Sequence, residues 1–242
     1  MGIFEPKPLM QLVRCLAGQI PGEVDWPSLI SAANQTLTTA TLACRVDPKA
    51  RAPDDVLAFL AMIRGRNAER NRRLMEQLDV VVAALAPLRT PPILLKGAAF
   101  LVGQSWSVAS ARLISDIDLM LPRKSLETAV RLLREIGYQV YRWDDVQDAP
   151  AILFRAQDVG MIDLHCRMKG QPPYLVYGNL RRHCTVLPRN GLHVLLPSPT
   201  LQAAILIAHD QIQEMDRSNG PSVSWRAEWP SFRHPVSARS FR

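Results

Sequence analysis

The stretch Arg112-Leu113-Ile114-Ser115-Asp116-Ile117-Asp118-Leu119-Met120-Leu121 is an apolar run interrupted by two aspartates spaced two apart, and Pro122 closes it. That composition and stop predict a β-strand over 113–121. Alternate side chains of a strand leave the same face, so Asp116 and Asp118 project together, about 7 Å apart along the backbone. Carboxylates that close repel one another unless a cation lies between them. A hard divalent ion such as Mg²⁺ takes carboxylate and phosphate oxygens alike, which makes the pair a candidate metal clamp. Asp-x-Asp triplets also arise by chance, and this one draws its weight from what surrounds it.

Upstream, after Thr90-Pro91-Pro92, residues 93–95 form a short apolar strand, and Gly97 opens a run, 98–102, that suits a helix. A glycine at a helix start lets an anion approach free backbone N–H groups, and Lys96 beside it adds a positive charge. Taken on its own, that pair is better explained as a simple turn with a solvated lysine. Downstream, Ser125 is placed to cap a helix over 126–136, with Gly137 just past its end. A third strand follows over 138–143, then a polar loop over 144–150. Residues 152–156 and 159–166 read as an antiparallel pair across Gln157-Asp158. Within the second of these, Asp163 stands in apolar surroundings, Met161-Ile162-Asp163-Leu164, where a buried carboxylate requires a cation or a donor. A metal ion meets that need, and so does a neighbouring arginine or backbone N–H. Alternation puts His165 on the face of Asp163 and leaves Ile162 and Leu164 on the other. His165 either contacts phosphate, orients the acid or serves packing. Residues 184–187 and 192–196 flank Asn190-Gly191, a hairpin signal, and a closing helix is expected over 200–216.

Residues up to about 88 carry apolar side chains at three-and-four spacing over 8–20, 26–39, 54–64 and 67–88, with Pro- and Gly-bearing breaks between. In the last helix Leu74, Leu78, Val81, Val82 and Leu85 make a core stripe. Arg64, Arg66, Arg70, Arg72 and Arg73 collect near its beginning, either as a solvated face or as a phosphate-facing surface. Strands and helices that alternate and then give way to hairpins indicate an α+β fold with a mixed sheet. The expected division is a helical N-terminal region over 1–90, a core over 91–198, a C-terminal helix over 199–216 and a basic, disordered tail over 217–242.

The chain has 242 residues, is 48% hydrophobic and carries a formal charge of +7. Its tail holds Arg217, Arg226, Arg233, Arg239 and Arg242 against Glu228, which accounts for four of the seven excess charges. The body is only mildly basic. Cys15, Cys44, Cys166 and Cys184 are scattered without a Cys-x-x-Cys pair, the start lacks the layout of a secretory signal, and a cytoplasmic setting is expected. No apolar run reaches the roughly 18 to 20 residues of a membrane span. His165, Cys166, His183, Cys184 and His193 fit no compact zinc spacing.

A phosphate-binding turn, paired acids on one strand and a third acid on a later strand meet the needs of two-metal phosphoryl chemistry. Asp163 is the acid placed to assist deprotonation of an acceptor. Removing Asp116 or Asp118 is expected to abolish turnover without unfolding the protein, because it relieves repulsion.

At these residues the chain resembles an uncharacterised bacterial branch of the polymerase-β-like nucleotidyltransferase superfamily. The likeness lies in Leu94-Leu95-Lys96-Gly97, in Arg112 to Leu119, in Ile162-Asp163-Leu164-His165, and in the helical lead-in with Asn67, Arg70, Asn71 and Leu74. It extends to about Met215. The resemblance implies a nucleotidyltransferase-like mixed sheet with flanking helices and Asp116, Asp118 and Asp163 as catalytic ligands of Mg²⁺ or Mn²⁺. It places Lys96, Gly97, Arg112, Ser115 and His165 near the nucleotide. The implied reaction moves a nucleotidyl group from an NTP, ATP first among them, to a hydroxyl of a small molecule, a protein side chain or an RNA end. The layout is also similar to toxin-type transferases, some of which act on tRNA, which is the alternative substrate class. Ala98 stands where the superfamily commonly has serine, the gap to Asp116 is longer than in the minimal motif, and the basic tail replaces further helical sequence. Those departures leave open an inactive nucleotide-binding or regulatory module.

Overall fold

The computed structural model describes residues 6–46, 52–143, 151–167, 175–207 and 209. The expected loop over 144–150, the end of the closing helix and the arginine tail lie outside the described residues.

Three short helices, α1 (Pro6–Leu16), α2 (Trp26–Gln35) and α3 (Thr39–Arg45), pack with the first turns of a 31-residue helix, α4 (Asp54–Ala84). They share a core of Leu12, Cys15, Trp26, Leu29, Leu42, Val56 and Leu60. Two helices were expected where α4 runs unbroken through Gly65. A glycine inside a helix costs only about 1 kcal/mol, and α4 is anchored on both sides of it, by Val56 and Leu60 before and by Leu74, Leu78, Val81 and Val82 after. The opposite correction applies to 26–39. There the helix ends at Thr36, whose hydroxyl donates to Ala32 O at 2.9 Å, and Leu37 takes φ +57 before α3 begins. A side chain that competes for helical carbonyls favours such a stop.

The remaining elements are β1 (Ile93–Leu94), α5 (Lys96–Gly103), α6 (Trp106–Ala109), β2 (Asp116–Met120), α7 (Leu126–Glu135), β3 (Gln139–Arg142), β4 (Ala151–Phe154), β5 (Met161–His165), α8 (Tyr177–Leu180), β6 (Cys184–Arg189) and β7 (Leu192–Pro197). The strands form one sheet in the order β3-β4-β5-β2-β1-β7-β6. The pairs β2·β5 and β1·β7 are parallel and the rest antiparallel, so the fold is the mixed α+β arrangement expected. Asn190 at φ +49 and Gly191 at φ +77 make the expected tight turn between β6 and β7. Gly137, at φ +94, follows α7 as expected. Ser125 does not cap that helix through its side chain, because it already has helical backbone angles at the end of a single 3₁₀ turn. Residues 199–207 are helical.

One face of the sheet is sealed by α4 and α7. Ile117 and Leu119 of β2, with Ile162 and Leu164 of β5, join Leu74, Leu78, Val81, Ala129 and Leu133 there. On the opposite face Ile93, Leu95 and Met120 pack with Tyr177, Leu180, Leu195 and Ile205. Strand alternation therefore puts Asp116, Asp118, Asp163 and His165 on the face away from α4. No helix among the described residues is long and apolar enough to cross a membrane.

Candidate active site

In the parallel pairing of β2 with β5, Asp118 lies directly opposite Asp163, and Met120 opposite His165. Ligand atoms of Asp118, Asp163 and His165 all lie within 4.8 Å of one another. Asp116 is one alternation earlier on β2 and stands outside that group, yet its charge and those of Asp118 and Asp163 act on one another. Strand alternation alone put Asp116 and Asp118 together as the candidate clamp. Cross-strand register instead makes Asp118, Asp163 and His165 the nearest neighbours.

Asp118 is 1% exposed. Its Oδ1 accepts from Lys96 Nζ at 2.8 Å and lies 2.9 Å from His165 Nε2. Its Oδ2 is buried with no hydrogen-bond donor. Burial alone would push the Asp118 carboxyl upward, but His165 and Lys96 together hold it below the ordinary carboxylate range. Asp163 has no such partners, and burial followed by the charge of Asp118 raises its pKa from 3.8 to about 6. Asp116 is raised by the same two causes, partly offset by Ser115, whose Oγ donates to Asp116 Oδ1 at 3.0 Å.

Clustered carboxylates, two of them raised by burial and by the charge of Asp118, and a buried oxygen without a donor leave a deficit of positive charge. The donor set fits a hard divalent cation. Carboxylate oxygens suit Mg²⁺, and an imidazole in the set widens the fit to Mn²⁺.

The other expected residues stand as follows. Lys96 reaches Asp118 from the start of α5 and holds φ +44, a left-handed conformation unusual for a lysine. Such a residue persists where the surroundings over-determine it. Gly97 has a packing reason the sequence did not show: a Cβ there would lie 2.8 Å from Ile114 Cγ2. The Arg112 guanidinium lies over the Phe100 ring, 4.9 Å from its centroid.

What holds the acids in place went unassigned in the sequence. Along the buried side of α4, Asn67 Nδ2 donates to Ser110 O and Arg112 O at 2.6 and 3.1 Å. Asn71 Nδ2 donates to Ala109 O and Arg112 O, both at 2.8 Å. Arg70 donates to Ile114 O at 3.0 Å and to Ser115 O at 3.1 Å. From α3, Thr41 Oγ1 donates to Ala111 O at 3.0 Å. About two turns further along α4, Gln77 binds both the N–H and the carbonyl of Gly160, just before β5. Gly160 itself has no room for a Cβ, which would meet Leu74 Cδ2 at 2.6 Å and Ser115 O at 3.1 Å. Helix α4 thus fixes the loops that enter both acid-bearing strands. The available signal was polar Asn67, Asn71 and Gln77 lying on an otherwise apolar helical stripe, since buried amides require partners.

A family model described as an uncharacterised nucleotidyltransferase matches residues 22–223. No curated protein matches. Among solved structures the chain is similar to ANT(2″)-Ia in complex with adenylyl-2″-tobramycin, at 17% identity and a TM-score of 0.37, over 58% of this chain and 77% of that one. With the family model spanning most of its length and the paired acids of β2 facing a third on β5, the chain belongs to the uncharacterised nucleotidyltransferase family.

Proposed function

We propose that this protein transfers a nucleotidyl group from an NTP, with ATP the first donor to test, to a hydroxyl of an acceptor, with release of pyrophosphate. The observation that carries the reading is the convergence of Asp118, Asp163 and His165 within 4.8 Å around a buried Asp118 oxygen that has no donor. Asp118 and Asp163 would hold Mg²⁺ or Mn²⁺, with Asp116 on the same face completing the acidic set. Such ions, when bound, lower the pKa of a coordinated hydroxyl and neutralise charge on the phosphates.

The chain's own residues would do the rest. The acceptor oxygen forms a bond to the α-phosphorus as the bond from that phosphorus to the bridging oxygen of pyrophosphate breaks. Asp163 would receive the hydroxyl proton of the acceptor as general base. Lys96 orients Asp118 and presents a positive charge beside the incoming phosphates. Ser115 and His165 orient Asp116 and Asp118 through the hydrogen bonds described above.

The test is incubation with α-labelled NTPs, Mg²⁺ or Mn²⁺ and a lysate of acceptors. Label should pass to an acceptor with the natural protein and not with Asp116→Asn. Equal labelling by both would refute the reading.

A further inference from the structure

A cavity of about 390 Å³ opens on α4 next to the loop before β5, lined by Gly65, Arg66, Glu69, Arg70, Arg73 and Val159. Arg66, Arg70 and Arg73 follow one another at four and three residues along α4 and so share one helix face. Two of the three are fixed by main-chain carbonyls of the loops that lead to the acid-bearing strands. Arg70 is held by Ile114 O and Ser115 O, immediately before Asp116. Arg73 donates to Gln157 O at 3.1 Å, in the loop before β5. These bonds leave most of the donors of each guanidinium unused, since each carries five N–H groups. Glu69, the one acid of the cavity wall, is already compensated: Arg72 donates to both its oxygens, at 2.9 and 2.6 Å. Arg66 is exposed, and Gly65 beside it adds no side chain to narrow the space. Asp116 and Arg73 both lie close enough to Arg70 to act on its charge, so cavity and acids are electrically continuous.

We infer that this cavity is the acceptor-side anion site and that the acceptor carries a phosphate group close to the hydroxyl it presents. Rigidly held guanidinium groups facing one space repel each other, and a phosphate with its several acceptor oxygens relieves that repulsion while using their spare donors. Lys96 contacts Asp118 itself, whereas Arg70 and Arg73 contact the loops before β2 and β5, which assigns the Lys96 turn to the donor NTP and the arginine cavity to the acceptor. The assignment to the acceptor rests on the proposed transfer reaction, whereas the anion site does not require it.

The test measures binding of a short fluorescent single-stranded RNA to the full chain by anisotropy, without NTP or divalent ions. The proteins are the natural chain, Arg66→Glu, Arg73→Glu, and Lys124→Glu as an exposed control of equal charge change. Each contacted phosphate of a single strand adds about 0.7 to the steepness of the log–log salt dependence. Arg66→Glu and Arg73→Glu should each weaken binding about tenfold at low salt and flatten that dependence by about 0.7. Lys124→Glu should leave both within about twofold.

A phosphorylated competitor, either a nucleoside 5′-monophosphate or a longer strand, should displace the probe where the unphosphorylated nucleoside does not. Displacement at low monophosphate concentration points to a small phosphorylated acceptor, and displacement only by longer strands points to a nucleic acid. Both keep the proposal. Unchanged binding in the arginine variants, an equal loss in the lysine control, or an equal loss of ATP affinity would overturn it. RNA binding that depends on Arg66 and Arg73 in a protein that transfers no label would leave the anion site standing and remove the proposed reaction.

Discussion

Replacing Asp163 with asparagine should make the protein more stable at alkaline pH while abolishing its transfer activity. Burial and the charge of Asp118 raise the Asp163 carboxyl from 3.8 to about 6, a displacement worth about 3 kcal/mol. The folded chain therefore binds this proton more tightly than the unfolded chain does. The ionised group opposes folding, by an amount that grows as pH rises through the window from 3.8 to about 6 and is complete above it. Asp163 is not fully buried, so solvent screening takes part of this away, and the amide must also find partners. The net gain for Asp163→Asn is then about 1–2 kcal/mol near pH 8, shrinking towards zero near pH 4. Urea unfolding in EDTA at the two pH values reads it directly. A variant less stable than the natural protein near pH 8, or a gain of equal size at both values, would refute the reasoning.

Asp118→Asn should behave in the opposite sense and lose about 3 kcal/mol in the same urea experiment, because Lys96 and His165 would face an uncharged group in a buried position. That loss departs from the expectation that removing either β2 acid relieves repulsion, and an Asp118→Asn protein as stable as the natural one would contradict the ion pair. Asn71→Ala should cost about 2–3 kcal/mol in thermal or chemical unfolding, since it strips a shared donor from Ala109 O and Arg112 O in a fully buried position. Lys96→Gly should be about 1 kcal/mol more stable than Lys96→Ala, because only glycine accepts φ +44 without strain. Both Lys96 variants should lose NTP affinity to a similar degree, measured by calorimetry.

The acid-bearing strands were legible because alternation is a local rule. Asp116 and Asp118 had to share a face, and Ile162 and Leu164 had to point away from Asp163 and His165. Which acids are nearest neighbours was not legible, because the register of β2 against β5 depends on two loops held by a distant helix. The clamp on those loops was half visible. Asn67 and Asn71 stood at core positions of α4, but their partners lie some forty residues away in sequence. The packing constraint on Gly97 was not legible, because the Ile114 methyl that excludes a Cβ there comes from another element. The arginines near Arg70 left two readings open for the same reason. Arg72 turned out to pair with Glu69 and Glu76 within the helix, while Arg70 and Arg73 lean onto carbonyls of the acid-bearing loops.

The account stands on one pocket in which separated acids are held together for a divalent cation. Titration of the full chain with Mn²⁺, followed by electron paramagnetic resonance, measures that directly, and Asp163→Asn is the variant to compare because it is expected to stay folded. The natural protein should bind Mn²⁺ and the variant should bind it at least about tenfold more weakly. Equal Mn²⁺ affinity in the two proteins would contradict the assignment of these acids to a metal site.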